Sequence, residues 1–294
     1  MNEDRGCATQ QTLKGRHVYD LTGKVAVITG VGRPRGIGRA TALRFAQEGA
    51  HVVLADLGTG MQQISDDIQG VSPDLARVAG EIEAVGAQVL AVPTDVSQPD
   101  DVERLLQRTV DQFGQIDIMV CNAAIIADQG INPLELPTEV FSRVLAVNLT
   151  GTFLCAQAAA RHMVAQGRGG KIVTVSSRAG RRGSAQTPAY SSSKFGVIGL
   201  TQSLAMALAP HGIRVNCVCP GAVDTDMGAP IHEQRAIQLG ASPESARDEA
   251  ARAIPLGRLT TGDDLAKAIV WLSSSETDHI TGQALNVTGG SLMN

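Results

Sequence analysis

The sequence lacks features that several classes of protein require. Only eight of its 294 residues are aromatic (one Trp, two Tyr and five Phe), so an aromatic cage for a planar ring or a cation is not indicated. Its 25 Lys and Arg residues do not outnumber its 29 Asp and Glu residues, and no long basic run occurs. Because nucleic-acid binding requires a basic surface, we expect no nucleic-acid partner.

The hydrophobic segments of exported and membrane proteins are also missing. The first residues, MNEDRGCATQ, are polar where a signal peptide carries an apolar run. The uncharged stretch 144–160 is interrupted by polar residues such as Asn148 and Thr150, and is shorter than a membrane span needs. We therefore expect a cytoplasmic protein without a membrane partner. Residues 1–20 are predicted to form a disordered tail, and residues 21–294 a single domain.

Cysteine is scarce, and its spacing does not predict a metal site. The five cysteines are odd in number and contain no CxxC pair: Cys7, Cys121, Cys155, Cys217 and Cys219. We interpret them as reduced core residues, and we expect no metal. Cys217 and Cys219 would share one face of a strand, where packing is favoured over a redox role.

Short apolar runs alternate with segments of helical period along the chain. The runs at 24–29, 51–55, 88–93, 116–121, 171–175, 214–219 and 284–287 are continuously apolar, as strands covered on both faces are. Helices are expected at 37–48, 74–85, 101–113, 140–165, 190–209 and 263–274. This alternation predicts an α/β fold, a doubly wound parallel sheet of Rossmann type with about seven strands and helices on both faces.

Four local features supplement this pattern. Capping boxes are predicted where Ser97 precedes Asp100 and where Thr261 precedes Asp264. The connection after the second strand is extended over residues 57–71. A longer excursion at 226–259 is predicted to be a substrate lid, since long ordered excursions in compact domains are often functional.

A glycine-rich turn joins the first strand to the first helix. It runs Thr29-Gly30-Val31-Gly32-Arg33-Pro34-Arg35-Gly36-Ile37-Gly38. Glycines let the backbone approach a pyrophosphate, which the positive end of the helix attracts. An ordinary tight turn is the alternative, but the position between a strand and a helix favours a dinucleotide site.

An acidic residue at the end of the second strand bears on cofactor choice. Asp56 follows Gly38 by 18 residues, where a carboxylate can bind the adenosine ribose hydroxyls and repel a 2′-phosphate. NAD(H) is therefore favoured. Arg33 and Arg35 in the loop keep NADP(H) open, because a basic residue there can bind that phosphate. A solvated acid is the alternative for Asp56.

A tyrosine and a lysine are spaced for proton transfer. Tyr190 and Lys194 stand at i and i+4, on one face of the predicted helix. A cation so close is predicted to lower the pKa of the phenol, which would make Tyr190 a general acid/base. An exposed surface pair is the alternative. Ser177 lies 13 residues upstream at a strand end, and Asn148 lies farther back.

With these motifs in order, residues 21–290 resemble the short-chain dehydrogenase/reductase family, in its compact single-domain branch. The resemblance implies that Tyr190 is the acid/base and that Lys194 binds the nicotinamide ribose and lowers the tyrosine pKa. It implies that Ser177, rather than Ser176, binds the substrate oxygen. Asn148 would anchor a water in a proton relay.

Further cofactor contacts follow from the same resemblance. It assigns adenine to Asp95 and Val96, and it assigns roles beside the cofactor to Asn122, Ala123, Pro220, Gly221, Val223 and Thr225. The chain departs from the family pattern in having five residues between Gly30 and Gly36, where three are usual. Cys121 and Ala124 also replace the usual Asn and Gly.

The predicted function is hydride transfer between NAD(H) and a secondary alcohol or ketone. A catalytically silent cofactor-binding regulator and a reductase of carbon–carbon double bonds are the alternatives. Arg178, Arg181 and Arg182 would recognise an anionic group or form surface salt bridges. The resemblance implies a homodimer or homotetramer built through the helices that carry Asn148 and Tyr190. Candidate interface residues are apolar side chains of these helices: Phe153, Leu154, Phe195, Val197, Ile198 and Leu200.

Overall fold

In the part of the chain that the structure describes, seven parallel strands form one central sheet. The computed structural model describes residues 18–19, 21–57 and 72–293, so Cys7, most of the predicted tail and the extension at 58–71 lie outside it. The strands are β1 Val25–Thr29, β2 His51–Asp56, β3 Val89–Pro93, β4 Ile118–Cys121, β5 Gly170–Val175, β6 Ile213–Pro220 and β7 Ala284–Val287. All seven predicted strands are confirmed, with ends that move by at most two residues.

The strand order is β3-β2-β1-β4-β5-β6-β7. The chain therefore leaves β1 toward β2 on one side and returns to β4 on the other. Such a reversal opens a crevice at the carboxyl ends of the two central strands, which is where ligands bind in open α/β sheets. The doubly wound fold predicted from the sequence is confirmed.

Helices cover both faces of this sheet. On one face α1, α2 and α9 bury side chains such as Phe45, Leu75 and Ile269, and on the other α3 and α5 bury Leu105 and Met163. The helices are α1 Ile37–Gln47, α2 Pro73–Glu83, α3 Pro99–Phe113, α4 Thr138–Leu145, α5 Gly151–Gln166, α6 Pro188–Leu208, α7 Ala229–Leu239, α8 Pro243–Arg252 and α9 Gly262–Ser273. Apolar stripes on these helices and the apolar strands together form the core.

The long helix predicted at 140–165 has an interruption. A π turn at Ala146–Thr150 separates α4 from α5 and carries Asn148. The whole run Thr138–Gln166, 29 residues, is long and apolar enough to cross a membrane by length and composition alone. Cys155, Ala156 and Met163 of this run are nevertheless buried against the sheet, as in the core helix of a globular domain.

Of the two predicted capping boxes, one is confirmed and one is wrong. Thr261 and Asp264 cap α9 reciprocally. The box predicted at Ser97 and Asp100 is absent, because α3 begins after Gln98 without a side-chain cap. Ser97 instead bonds through its hydroxyl and its N–H to Asp95, at 2.7 and 2.9 Å.

The predicted lid region contains two helices that the sequence pattern did not indicate. These are α7 and α8, and Ser242 caps the second by accepting from the backbone N–H of Ser245. Met227 and Ile231 of this region line the cleft described below. The side chains of His232 and Leu239 lie outside the described part of the chain.

The four described cysteines are free and buried. Cys217 and Cys219 share one face of β6 and pack with Val197, as the packing interpretation predicts. Burial raises the pKa of the Cys155 thiol to about 12 and also raises that of Cys121. In the described ranges no group of three or more His, Cys, Asp or Glu side chains could hold a metal ion.

Candidate active site

A cleft of about 730 Å³ opens at the carboxyl ends of the strands. The residues that line it come from the glycine-rich turn, several strand ends, α6 and the lid region. Among them are most of the site residues predicted from the sequence: Gly30, Gly36, Ile37, Asp56, Asp95, Val96, Asn122, Ala123, Ser177, Tyr190, Lys194, Pro220, Gly221, Val223 and Thr225. Gly32, Arg35, Gly38 and Asn148 adjoin the cleft without lining it.

The glycine-rich turn is packed too closely for any other residue type. Gly30 has φ +76°, and a Cβ built there would lie 2.7 Å from Ala123 Cα. A Cβ on Gly38 would lie 2.7 Å from Asn122 Nδ2 and would collide with the Gly30 carbonyl. The turn thus brings the start of α1 directly against the end of β1.

The start of α1 has the features of an anion site. Its first residues, Gly36 and Ile37, line the cleft, no side chain caps the helix, and its first turn contains no acid. The unpaired N–H groups and the positive end of the helix dipole therefore face an open space. These features fit the phosphates of a dinucleotide.

Asn122 and Ala123 hold this turn from the neighbouring strand. Asn122 Nδ2 donates to the carbonyls of Thr29 and Gly30, at 2.8 and 2.9 Å. The backbone N–H groups of Asn122 and Ala123 both donate to Thr29 Oγ1 at 3.1 Å. Cys121 ends β4, paired in register with Thr174. The link between β1 and β4 is therefore intact, although Cys121 and Ala124 stand where the family usually has Asn and Gly.

The carboxylate of Asp56 faces the same turn. Its Oδ2 accepts the backbone N–H of Gly32 at 2.7 Å. Arg33, which lies in the turn, also lines the cleft. The structure therefore brings a carboxylate and an arginine to one end of the cleft, the pair on which the prediction of cofactor preference depends.

Arg35 contacts the lid region in this structure. Its Nε lies 2.8 Å from Asp226 Oδ1, and its backbone N–H donates to Asp226 Oδ2 at 2.8 Å. Asp224 in turn pairs with Arg247 of α8 at 2.6 Å. The longer glycine loop is thereby tied to the segment that precedes α7. A contact of Arg35 with cofactor stays a prediction.

Tyr190, Ser177 and Lys194 meet at one wall of the cleft. Ser177 lies beside the phenol of Tyr190, and its hydroxyl acts to lower the pKa of that phenol. Lys194 is buried, its Nζ donates to the Val175 carbonyl at 2.8 Å, and it lies 5.7 Å from the centroid of the Tyr190 ring. Two side chains one helical turn apart and a strand-end serine therefore converge, as the spacing predicts.

The expectation that Lys194 lowers the phenol pKa is wrong for this structure. Burial raises the pKa of Tyr190, while the Ser177 hydrogen bond and the charge of Arg178 act in the opposite direction. The ammonium of Lys194 is bound to a carbonyl, and burial lowers its own pKa to about 8. The phenol is therefore protonated at neutral pH.

The two adjacent serines differ in their contacts. Ser176 is buried and donates to the backbone carbonyl of Lys194 at 2.8 Å, so its hydroxyl secures α6. Ser177 lines the cleft, and its Oγ accepts the backbone N–H of Ala179 at 3.1 Å. Of the two serines, Ser177 is the one that acts on the pKa of the Tyr190 phenol.

Asn148 lies behind this wall and is fully buried. Its Oδ1 accepts the N–H of Ile125 at 2.8 Å, and its Nδ2 donates to the Ile125 carbonyl and to Ser193 Oγ. The side chain therefore joins the π turn to α6 and to the segment after β4. Its proposed role in a water relay stays a prediction.

Asp128 belongs to the site but was missed in the sequence. Its carboxylate is buried and accepts the backbone N–H groups of Ala189 and Tyr190, at 2.7 and 3.1 Å. Asp128 lies in an irregular segment 62 positions before Tyr190, so no periodicity connects the two. Only the folded arrangement shows the contact.

The three arginines after Ser177 have different environments. Arg178 is exposed and lines the cleft. Arg181 donates to the Ala284 carbonyl on β7, and Arg182 is exposed. Of the three, Arg178 is thus placed to meet a bound molecule.

The chain is similar to known proteins over almost its whole length. A family model described as Enoyl-(Acyl carrier protein) reductase matches residues 30–291. A short-chain type dehydrogenase/reductase from Mycobacterium marinum has 38% sequence identity and a TM-score of 0.80, over 94% of this chain and 98% of that one. The chain belongs to the short-chain dehydrogenase/reductase family.

Other family members extend the likeness over nearly the whole chain. Galactitol 2-dehydrogenase of Agrobacterium fabrum is 37% identical over 273 residues, 93% of this chain and 99% of that protein. Carveol dehydrogenase from Mycobacterium avium, whose crystal structure is a complex with NAD, has 31% identity and a TM-score of 0.85 over 94% of this chain and 100% of that one. As a short-chain dehydrogenase/reductase, the protein is an oxidoreductase that transfers hydride between a nicotinamide cofactor and an alcohol or ketone.

Proposed function

We propose that this short-chain dehydrogenase/reductase is an NAD(H)-dependent enzyme that interconverts a secondary alcohol and a ketone with Tyr190 as its acid/base. One observation carries the proposal. Tyr190, Ser177 and Lys194 converge on the wall of the same cleft that the start of α1 and the glycine-rich turn enter. A proton-transfer group therefore lies within one cavity with a site suited to dinucleotide phosphates.

The chain's own residues would handle the proton and orient the substrate. In oxidation, the hydroxyl proton of the alcohol passes to the Tyr190 phenolate, while the carbinol C–H bond breaks and its electron pair leaves as hydride. A bound nicotinamide would supply the acceptor for that hydride. Ser177 would hold the substrate oxygen. Lys194 would bind the nicotinamide ribose and so help to position the ring.

The preference for NAD(H) rests on Asp56. Its carboxylate faces the glycine-rich turn, where the adenosine ribose of a dinucleotide would lie. A second negative charge on that ribose would meet it directly, with unfavourable Coulomb energy. Arg33 on the same stretch of the cleft is the feature that would support NADP(H). We favour the carboxylate because it is anchored to the turn, whereas Arg33 is exposed.

A screen of secondary alcohols and ketones with both cofactors tests this function. Oxidation or reduction is followed through the nicotinamide absorbance. Turnover of at least one alcohol–ketone pair with NAD(H) is expected. A protein that binds cofactor and turns over no substrate would instead be the silent regulator.

Reduction of a carbon–carbon double bond is the second candidate, because the matching family model is described by an enoyl reductase activity. The arrangement of a serine hydroxyl against the phenol suits a carbonyl oxygen, and so we place this candidate second. Enoyl thioesters included in the same screen would reveal it.

Arg178 predicts a preference for substrates with a negative group. Its guanidinium lies close enough to Tyr190 to affect the phenol pKa, and among the described residues no carboxylate lies within ion-pair distance of it. We expect hydroxy acids to have a lower KM than their primary amides. Arg178→Gln should raise KM for the acids about 10- to 100-fold, as for a lost hydrogen bond to a charged group.

Comparing acid and amide within each variant removes any effect of Arg178 on the phenol itself. Arg182→Gln is the matched control, since Arg182 is exposed and does not line the cleft. Equal KM values for acid and amide in the unmodified enzyme would contradict the assignment.

Exposed aromatic side chains on α5 and α6 support a homo-oligomer. Phe153 and Phe195 are 36% and 47% exposed, whereas Val197, also a predicted interface residue, is buried within the protomer and is corrected here. Leu154, Ile198 and Leu200 are partly buried. We expect a dimer or tetramer by light scattering at micromolar concentration, and a smaller species for Phe195→Glu. A monomer in the unmodified protein would refute the interface.

We also propose that the protein is cytoplasmic.

A further inference from the structure

A buried carboxylate lies at the start of the helix that carries the tyrosine. Asp128 is fully buried, and its Oδ2 accepts the N–H groups of Ala189 and Tyr190, at 2.7 and 3.1 Å. Thr187, which precedes α6, supplies no side-chain cap. Asp128 therefore performs the capping from a different part of the chain, where the helix dipole favours a negative charge.

The charge of this carboxylate is only partly compensated. Asp128 Oδ1 is buried without a hydrogen-bond partner, and no cation lies within ion-pair distance of it, among the residues that the structure describes. Burying a carboxylate oxygen without a hydrogen-bond partner lowers the stability of the fold, so a carboxylate kept in such a place calls for an explanation. Its position at the start of α6, the helix that carries Tyr190, indicates a role in the site.

Several charged and polar groups surround the Tyr190 phenol. Ser177 and Arg178 face it from the end of β5 and the turn after it, and both lower its pKa. Lys194 lies near its ring from the same helix, and Arg143 of α4 lines the cleft. Asp128 faces it from the segment after β4 and raises its pKa. Asp128 is the acid in this set.

We propose that Asp128 is a positioning residue for the reaction, which places the Tyr190 phenol by fixing the first turn of α6. The inference rests on the proposed role of Tyr190. Two separate effects follow from it. The backbone hydrogen bonds set where the phenol lies relative to Ser177, and the negative charge keeps the phenol protonated to higher pH.

The composition of the chain allows a direct test, since it contains only two tyrosines. In a Tyr19→Phe background, Tyr190 is the sole phenol, and its ionisation can be followed by the phenolate absorption or by the NMR signal of a ¹³C-labelled ring. Asp128→Asn removes the charge and keeps an oxygen that can accept a backbone N–H. We expect the ionisation midpoint of Tyr190 to move to lower pH.

The rate should report the same change. In Asp128→Asn, the rise of kcat for alcohol oxidation with pH should begin at lower pH, in parallel with the ionisation midpoint. Asp128→Ala, which removes both hydrogen bonds, should lose about 10²-fold in kcat because the phenol is displaced, with little change in cofactor affinity. If the Ala variant does not fold, the Asn variant alone decides.

Asp117→Asn is the matched control. Asp117 also accepts a backbone N–H, that of Val25 at 2.9 Å, but at the amino edge of the sheet, away from the cleft. Its replacement should lower stability without moving the Tyr190 midpoint. An unchanged or higher midpoint in Asp128→Asn would overturn the proposal for Asp128. Retained turnover in Tyr190→Phe would instead overturn the proposed function.

Discussion

Replacing Tyr190 by Phe should reduce kcat for alcohol oxidation and for ketone reduction by about 10²- to 10⁴-fold, the range in which a general acid/base contributes. The change removes one oxygen atom and keeps the ring, whose contact with Lys194 need not change. Cofactor affinity, measured by quenching of protein fluorescence or by calorimetry, should be retained within about twofold, since binding and proton transfer use different groups.

The pH dependence distinguishes proton transfer from mere packing. Burial raises the pKa of Tyr190, so the phenolate that oxidation needs forms only as the pH rises well above neutral. The oxidation rate of the unmodified enzyme should therefore increase on the alkaline side. The Phe variant lacks the phenol that ionises there, and its residual rate should lack the increase that the phenolate causes.

Tyr19→Phe is the internal control, because Tyr19 is the other tyrosine and packs at the edge of the core near Glu48, away from the cleft. It should retain near-normal kcat and the alkaline increase. Turnover of Tyr190→Phe close to that of the unmodified enzyme would remove the proposed mechanism. Loss of activity in both variants would point to a folding defect, which thermal unfolding would detect.

The doubly wound parallel sheet could be predicted because its signals are local or follow from general rules. The strands are mostly apolar without a strict alternation, and right-handed crossovers leave few ways to arrange seven parallel strands. The glycine turn could be placed for the same reason, since Gly30 and Gly38 permit a close approach that no other residue allows. Spacing along the helix also placed Tyr190 beside Lys194.

The lid helices were missed because their packing is slight. In α8, PESARDEAAR, Ala246 is the buried residue, so the helix shows no apolar period from which to recognise it. A signal was nevertheless present. Ser242 followed by Pro243 and Glu244 is typical of a helix start, with the serine as cap and proline in the first turn. This capping signal predicts the start of α8.

The electrostatics of the site could not be predicted from spacing alone. An i, i+4 relation shows that Lys194 is near Tyr190, but not that its ammonium binds the carbonyl of Val175. Desolvation depends on what covers the cleft wall, and Asp128 reaches α6 from a distant segment. These contacts decide the sign of the pKa shift on Tyr190, and they arise only from the tertiary fold.

Replacing Asp56 by Ser should change cofactor preference. In the unmodified enzyme we expect NADH to bind more tightly than NADPH, because the carboxylate faces the turn at which the adenosine ribose would lie. The serine variant loses a charged acceptor, which should weaken NADH binding about 10- to 100-fold. It also removes a negative charge next to a 2′-phosphate, so NADPH affinity should rise.

Arg33 decides how far that reversal goes, because it lines the same end of the cleft and is free to pair with a phosphate once Asp56 is gone. In Asp56→Ser combined with Arg33→Gln, the gain in NADPH affinity should therefore disappear while the loss in NADH affinity persists. Asp74→Ser is the matched control: Asp74 is an acid in the first turn of α2, close to Gly32, and it does not line the cleft. If the unmodified enzyme binds NADPH more tightly than NADH, the carboxylate does not govern the choice and Arg33 becomes the determinant, since both side chains line the same end of the cleft.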